Sequence, residues 1–320
     1  MKALITGVSG FVGTLLSEKL IENGYEVSGF SRRATSHKNI EYYPCDITDS
    51  SNVEEIIRKI QPDEIYHLAG SSFIPSSYTN TMQTYDTIVN GTLVLYEAIR
   101  KLDIDCKVLF VGSGEVYGED KRSSYNEGDL LQPSNPYAGA KASADLISEQ
   151  YFKTFGMRII RARPFNHTGP KQSPHFVCSN FAKQISEMEV NGDNCISVGN
   201  INVQRDFLDV RDVVNAYLKL MKYGENGEAY NVSSNKPVFI SELLNMLLST
   251  SSLKDPIIEI EAVRLRVKDV AIKAGDNTKL RLHTGWKPEI QLLETMKDLL
   301  DYWRDYQAQV GDDKDEYPRT

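Results

Sequence analysis

Residues 2–24 read KALITGVSGFVGTLLSEKLIENG, and this stretch decides the fold. KALIT (2–6) is a short apolar run, and three glycines follow it, Gly7, Gly10 and Gly13, in the pattern G-x-x-G-x-x-G. Behind them Phe11, Leu15, Leu16 and Leu20 recur at helical spacing, and Gly24 closes the segment. The pattern is a strand that turns on glycines into a helix. Glycines at such a turn keep the bend tight and let the backbone approach a pyrophosphate at the helix N-terminus. Gly7, Gly10, Phe11, Val12 and Gly13 are therefore candidate dinucleotide-binding residues.

The same rhythm continues downstream. YEVSGF (25–30), IEYYPCDI (40–47), DEIYHLAG (63–70), CKVLFVGS (106–113) and MRIIRA (157–162) read as strands. Helical segments separate them: one opening at Thr48, Asp49 and Ser50, one over 80–101 and one over 136–155. Strands alternating with helices predict an α/β doubly wound parallel sheet of Rossmann type, with ligands outside the carboxyl ends of the strands. After Arg163 the rhythm changes. FNHTGPKQSPH (165–175) is rich in turn formers, and amphipathic helices follow over 176–190, 211–221, 240–249 and 294–306. The expected organisation is a dinucleotide-binding domain over 1–163, with 204–232 returning to it. A smaller C-terminal substrate-binding lobe takes 164–203 and 233–310, and 311–320 forms a loose tail.

Composition narrows the function. Net charge is -8, from 36 basic and 44 acidic residues with no basic block, which argues against nucleic acid as a partner. No apolar run approaches the ~20 residues of a membrane span. Met1 stands almost directly on a strand, leaving no room for a signal peptide. Cys45, Cys106, Cys178 and Cys195 are widely spaced and form no CxxC, so no metal site is expected. Reduced, structural cysteines fit a cytoplasmic protein.

The end of the second strand bears on the cofactor. NAD sites usually place a carboxylate there for the ribose 2′-hydroxyl. This chain has Ser31, Arg32 and Arg33, which suit a 2′-phosphate and favour NADP(H) over NAD(H). Asp46 and Ile47 follow the third strand, with Asp46 placed for the adenine amino group. Leu68, Ala69 and Gly70 are expected along the phosphates.

Two further motifs carry chemistry. VGSGEVYG (111–118) ends a buried strand with Ser113 and Glu115 separated by one glycine. PYAGAKASA (136–144) sets Tyr137 and Lys141 four apart on one helix face. A free tyrosine has a pKa of about 10. A nearby ammonium is expected to lower it, and Ser113 to orient the reacting oxygen.

Taken together, GxxGxxG, HLAG, VGSGEVYG and YAGAK resemble the extended short-chain dehydrogenase/reductase family that acts on nucleotide sugars. The resemblance implies Ser113, Tyr137 and Lys141 as a catalytic trio. It also implies an NAD(P)-linked hydride passing to or from a sugar carbon, with Pro164 and Phe165 beside the nicotinamide. Within that family RARPFNHTGP (161–170), residues 198–221 and TGWKP (284–288) are similar to the GDP-4-keto-6-deoxy-D-mannose reductases. The expected reaction is then reduction of a C4 ketone on a 4-keto-6-deoxy nucleotide sugar, a GDP-sugar favoured, yielding a rhamnose- or talose-type product. One alternative is a 4,6-dehydratase, since the resembling dehydratases draw their base from the position of Glu115. Gly114 stands where some of them carry an acid. A 4-epimerase or a heptose-modifying enzyme is the second alternative. Arg205 and Arg266 are candidate diphosphate ligands, Asn166, Asn180 and Lys183 candidate polar contacts, and His167 is either near the sugar or structural. The helices of 80–101 and 136–155 resemble a dimer interface of this family, so a homodimer is expected.

Overall fold

The computed structural model describes residues 1–34, 39–119, 123–262 and 270–310. Seven parallel strands build the larger sheet: β1 (Lys2–Thr6), β2 (Glu26–Ser31), β3 (Glu41–Pro44), β4 (Glu64–His67), β5 (Lys107–Val111), β7 (Arg158–Pro164) and β11 (Ala229–Val232). Their spatial order is β3-β2-β1-β4-β5-β7-β11, so the chain reverses direction across the sheet between β1 and β4. That switch point opens a crevice above the strand ends, where Thr6 pairs with both Phe30 and His67.

Period-two alternation sends successive strand residues to opposite faces. Ala3 and Ile5 face one core with Leu16 and Leu20 of the helix Phe11–Glu22 and Val213 and Tyr217 of the helix Val210–Tyr223. Leu4 faces the other, with helices Ser50–Ile60, Gly91–Lys101 and Pro136–Phe155. The helix after β3 starts where the sequence suggests, with Asp49 as N-cap accepting from Asn52 N at 3.1 Å.

The second lobe is built on a smaller sheet ordered β12 (Pro237–Phe239), β10 (Gln204–Asp209), β14 (Ile272–Gly275) and β6 (Ser124–Tyr125), with β8 (Asn166–Thr168) also pairing β10. β9 (Cys195–Val198) and β13 (Ile257–Ile260) form a separate parallel pair. Helices Val177–Asn191, Ile240–Ser249 and Leu292–Val310 pack around Trp303 as its core. Within 204–232 the two sheets divide the chain: β10 joins the smaller one, whereas Val210–Tyr223 and β11 lie with the larger.

The segment expected as one helix over 80–101 is interrupted. Short helices Ile74–Thr79 and Thr81–Tyr85 lead into a π turn, Asp86–Asn90, before Gly91–Lys101. Gly91 lies against Ile47, whose Cγ2 would be 2.7 Å from a Cβ there, and the Tyr85 hydroxyl lies over Gly139, 2.3 Å from its would-be Cβ. The wide turn lets the segment meet both neighbours.

A buried polar chain holds the switch point. Ala69 N–H donates to Thr6 Oγ1 at 3.0 Å, and Thr6 Oγ1 meets His67 Nδ1 at 2.8 Å. His67 Nε2 meets Thr92 Oγ1 at 3.0 Å, and Thr92 donates to Ile88 O at 2.6 Å. Thr92 spends its proton on Ile88 O, so Nε2 donates to Thr92, and in a neutral ring Nδ1 accepts from Thr6. Burial, aided by the Lys141 charge, pushes His67 down to about 3. Its folded pKa thus lies below the unfolded value, so this histidine's contribution is complete above about pH 6.5 and is lost as pH falls. The stability difference between wild type and His67→Asn should shrink by about 1.4 kcal/mol per pH unit below that point. Urea titrations at pH 7, 6 and 5 read it directly, and a constant difference would contradict the assigned neutral ring.

Candidate active site

At the carboxyl edge of β1 the glycine turn is dictated by close approach. Gly7 has φ +76°, and a Cβ on it would stand 3.1 Å from Ala69 Cα and N. A Cβ on Gly13 would stand 2.5 Å from Gly7 O and 2.8 Å from Val8 O, so only glycine lets the helix seat on the strand. Gly10 caps that helix with no side-chain hydrogen bond, and the first turn carries no acid. The helix N-terminus, with Phe11 and Val12 in its first turn, suits an anion. The Phe11 ring stacks on His167, centroids 6.3 Å apart and planes 7° from parallel. His167 Nδ1 lies 2.9 Å from Phe165 O, and burial pulls its pKa down, so the structure gives it a positioning contact.

The basic turn after β2 is pinned by a tyrosine that the sequence reading did not single out. Tyr42 Oη lies 2.8 Å from both Ser31 O and Arg33 O, and Ser31 Oγ donates to Arg33 O at 2.7 Å. Arg32 and Arg33 are exposed there. Arg32 Nε comes within 4.0 Å of Asp46 Oδ2, while Asp46 Oδ1 accepts from Thr48 N and Oγ1. Ile47 differs from its neighbours, since its side chain is buried in the core against Gly91. Leu68 and Ala69 are half-buried, and Gly70, with φ +153°, lies beside Lys141 Nζ.

The geometry of the trio follows from two elements meeting. β5 delivers Ser113, extended at φ -165°, as cap of the turn Gly114–Tyr117, where its Oγ accepts from Glu115 N at 3.1 Å. The helix Pro136–Phe155 starts on Asn135, whose Oδ1 accepts from Ala138 N at 2.9 Å, and sets Tyr137 in its first turn. Ser113 acts to lower the Tyr137 pKa, and both side chains are buried. Lys141 Nζ donates to Val111 O at 2.7 Å. Burial lowers Lys141 to about 8. Burial raises Tyr137 to about 12, Ser113 opposing and the Glu115 charge adding to the rise. The expected lowering of Tyr137 by Lys141 is therefore corrected: desolvation dominates, and Lys141, which donates to Val111 O, is not among the groups that shift Tyr137. Burial favours the neutral phenol at Tyr137.

The substrate side is dominated by a residue missing from the sequence reading. Lys273 on β14 is 4 % exposed, and its Nζ stands 3.1 Å from Glu115 Oε2. A lone lysine in the short strand IKAG gives no signal of a partner so distant in sequence. Phe165 is buried between Gly114 and Gly275, with ring atoms 2.9 and 2.4 Å from the Cβ that either would carry, and it stacks on Tyr117. Gly114 is thus required by packing. Pro164 ends β7, paired with Val232.

The other polar candidates are tied locally. Asn166 Nδ2 donates to Asp206 O at 3.1 Å, and Arg205 Nη1 donates to Gln204 O and Val270 O at 2.7 and 2.8 Å. Asn180 Nδ2 donates to Pro174 O at 3.1 Å, and Lys183 pairs with Glu187 one helical turn on. Arg266 lies outside the described residues, as does 311–320. Among the described residues no group of His, Cys, Asp and Glu could hold a metal, and no helix is long and apolar enough to cross a membrane.

The family model described as GDP-mannose 4,6 dehydratase matches residues 4–299. A GDP-6-deoxy-D-mannose reductase of Pseudomonas aeruginosa is 33% identical over 309 residues, covering 94% of this chain and 97% of that protein. A GDP-mannose 4,6-dehydratase of Yersinia enterocolitica is 27% identical, covering 93% and 92%. The solved structure described as RMD from Pseudomonas aeruginosa complexed with NADPH superposes with a TM-score of 0.85 at 32% identity, covering 95% of this chain and 99% of that one.

Proposed function

The chain belongs to the GDP-mannose 4,6-dehydratase family, an extended short-chain dehydrogenase/reductase lineage, and from that membership we propose that it reduces the C4 ketone of a GDP-linked 4-keto-6-deoxy sugar with NADPH. The observation that carries this reading is the burial of Ser113, at the end of β5, together with Tyr137 and Lys141, one turn apart on the helix Pro136–Phe155. When bound, the nicotinamide supplies the hydride. Gly7, Gly10 and Gly13 would cradle the pyrophosphate, because the tight strand–turn–helix packing at Gly7 and Gly13 sets the helix N-terminus at the strand end. Ser113 holds the ketone oxygen, and Tyr137 protonates the oxygen as its charge develops, a transfer downhill from phenol to alkoxide. Lys141, near Gly70 and anchored on Val111 O, faces the cofactor side of the site.

The dehydratase remains the second reading because Glu115 is a carboxylate beside Ser113. Elimination also needs an acid for the C6 hydroxyl, and Phe165 bars any side chain at Gly114. The distinguishing assay supplies GDP-mannose with NADP and no reductant, in parallel with the keto sugar and NADPH. Consumption of NADPH only in the second supports the reductase, and a 4-keto product in the first would favour the dehydratase.

Cofactor preference rests on Ser31, Arg32 and Arg33, which occupy the end of β2 where NAD sites usually carry an acidic residue. Replacing both by alanine should raise the KM for NADPH by roughly 10–100-fold, the loss expected for charge-assisted bonds to a phosphate, and leave that for NADH nearly unchanged. Equal effects on both cofactors would contradict the assignment. A homodimer is proposed through helices Ile74–Thr79, Thr81–Tyr85 and Pro136–Phe155, which leave Tyr78, Met82, Leu146 and Phe155 exposed. Three buried free thiols suit a reducing, cytoplasmic setting.

A further inference from the structure

The pair formed by Glu115 and Lys273 is absent from the proton delivery just described. Lys273 is enclosed at 4 % exposure, its Nζ makes no well-aligned hydrogen bond to any described group, and it forms an ion pair with Glu115 Oε2 at 3.1 Å. The strand that carries it pairs with Arg205 on one side and Ser124–Tyr125 on the other, so the ammonium is fixed by the second lobe. Glu115 is anchored from the opposite side, through its backbone N–H on Ser113 Oγ. That contact places Glu115 next to the buried Ser113 of the candidate trio.

A carboxylate there is a hazard for a ketone. Hydrogens on the carbons flanking a carbonyl are acidic, and Ser113 and Tyr137 are set to stabilise charge on the ketone oxygen. We propose that Lys273 is a positioning residue that decides the reaction outcome: it holds Glu115 as a paired anion and so keeps it from removing the C5 proton of the bound keto sugar. The inference rests on the ketoreductase reading. Taking up a proton would cost Glu115 its charge and leave the Lys273 ammonium buried without a counter-ion, which is strongly unfavourable. In the suppressed reaction a Glu115 oxygen takes the C5 proton. The C–H electron pair forms a C4–C5 double bond, and the carbonyl pair moves to the oxygen. Return of a solvent-exchanged proton to C5 restores the ketone, so neither oxidant nor reductant is consumed.

The test is reduction of a GDP-linked 4-keto-6-deoxy sugar with NADPH in D2O, with deuterium at C5 of the alcohol measured by NMR. Wild type should retain hydrogen at C5. Lys273→Met should raise C5 exchange by roughly 10²-fold, the scale of general base catalysis. Lys273→Arg, which keeps the cation, and Lys273→Met combined with Glu115→Gln should both return to the wild-type level, a pattern that loose packing would not produce. Should Lys273→Met not fold, judged by NADPH binding, Lys273→Gln carries the same expectation. An alcohol with no more C5 deuterium than wild type, or deuterium that persists without Glu115, overturns the inference alone. A wild type that forms no alcohol overturns the ketoreductase reading, and the inference with it.

Discussion

Tyr137→Phe should lower kcat for the keto sugar by roughly 10²–10⁴-fold, the span of general acid catalysis, with NADPH affinity nearly intact. The lost atom is the proton donor, and the ring that remains keeps its place in the core shared with Ala140 and Ala144. Because burial holds Tyr137 up at about 12, the phenol is the resting form throughout the neutral range. No loss of activity from Tyr137 ionisation is therefore expected between pH 6 and 9, and the pH profile of kcat should be flat on its account. Steady-state kinetics together with fluorescence titration of NADPH separate the two effects. A variant with normal kcat would remove Tyr137 from the reaction, and one that no longer binds NADPH would make its role structural.

Asp145→Asn should cost about 3–5 kcal/mol of stability, the scale for breaking a buried ion pair. Asp145 is fully buried and serves two arginines. Its Oδ1 accepts from Arg161 Nη1 and Arg163 Nη2, each at 2.8 Å, and its Oδ2 accepts from Arg163 Nε at 2.9 Å. An amide of the same shape leaves Arg163 buried without a counter-charge and turns one acceptor into a donor. The damage reaches the active site through Tyr117. Its Oη accepts from Arg163 Nη1 at 2.9 Å and donates to Asn231 Oδ1 at 2.7 Å, fixing the far end of the turn that starts at Ser113. A urea midpoint lowered with unchanged slope, together with reduced kcat in the folded fraction, is the expected result. A change below about 1 kcal/mol, the range of an exposed pair, would contradict it.

The sheet and the shared helix face of Tyr137 and Lys141 were legible because each is local. Residues 2–24 spell strand, turn and helix in one run, and Tyr137 and Lys141 sit one helical turn apart. Parallel connectivity then fixes where Ser113 must lie. What was hidden depends on contacts between lobes. Lys273 reaches Glu115 only because β14 pairs with β10 and β6, and β14 carries no alternation or motif that announces it. Gly114 read as a missing acid, whereas its reason is the Phe165 ring folded across it. The π turn at Asp86–Asn90 escaped for a related cause, since 80–101 has helical periodicity and the interruption coincides with the tertiary contacts of Tyr85 and Gly91. The Tyr137 pKa was read from its neighbour Lys141, but burial dominates and Lys141, which donates to Val111 O, is not among the groups that shift it.

The central claim concerns where hydride ends. With NADPH deuterated at the transferring position and a GDP-linked 4-keto-6-deoxy sugar, the product should carry one deuterium at C4 for each NADPH consumed. GDP-mannose supplied with NADP alone should stay unchanged. Conversion of GDP-mannose to a 4-keto-6-deoxy product without added reductant, or an absence of deuterium at C4, would contradict the assignment.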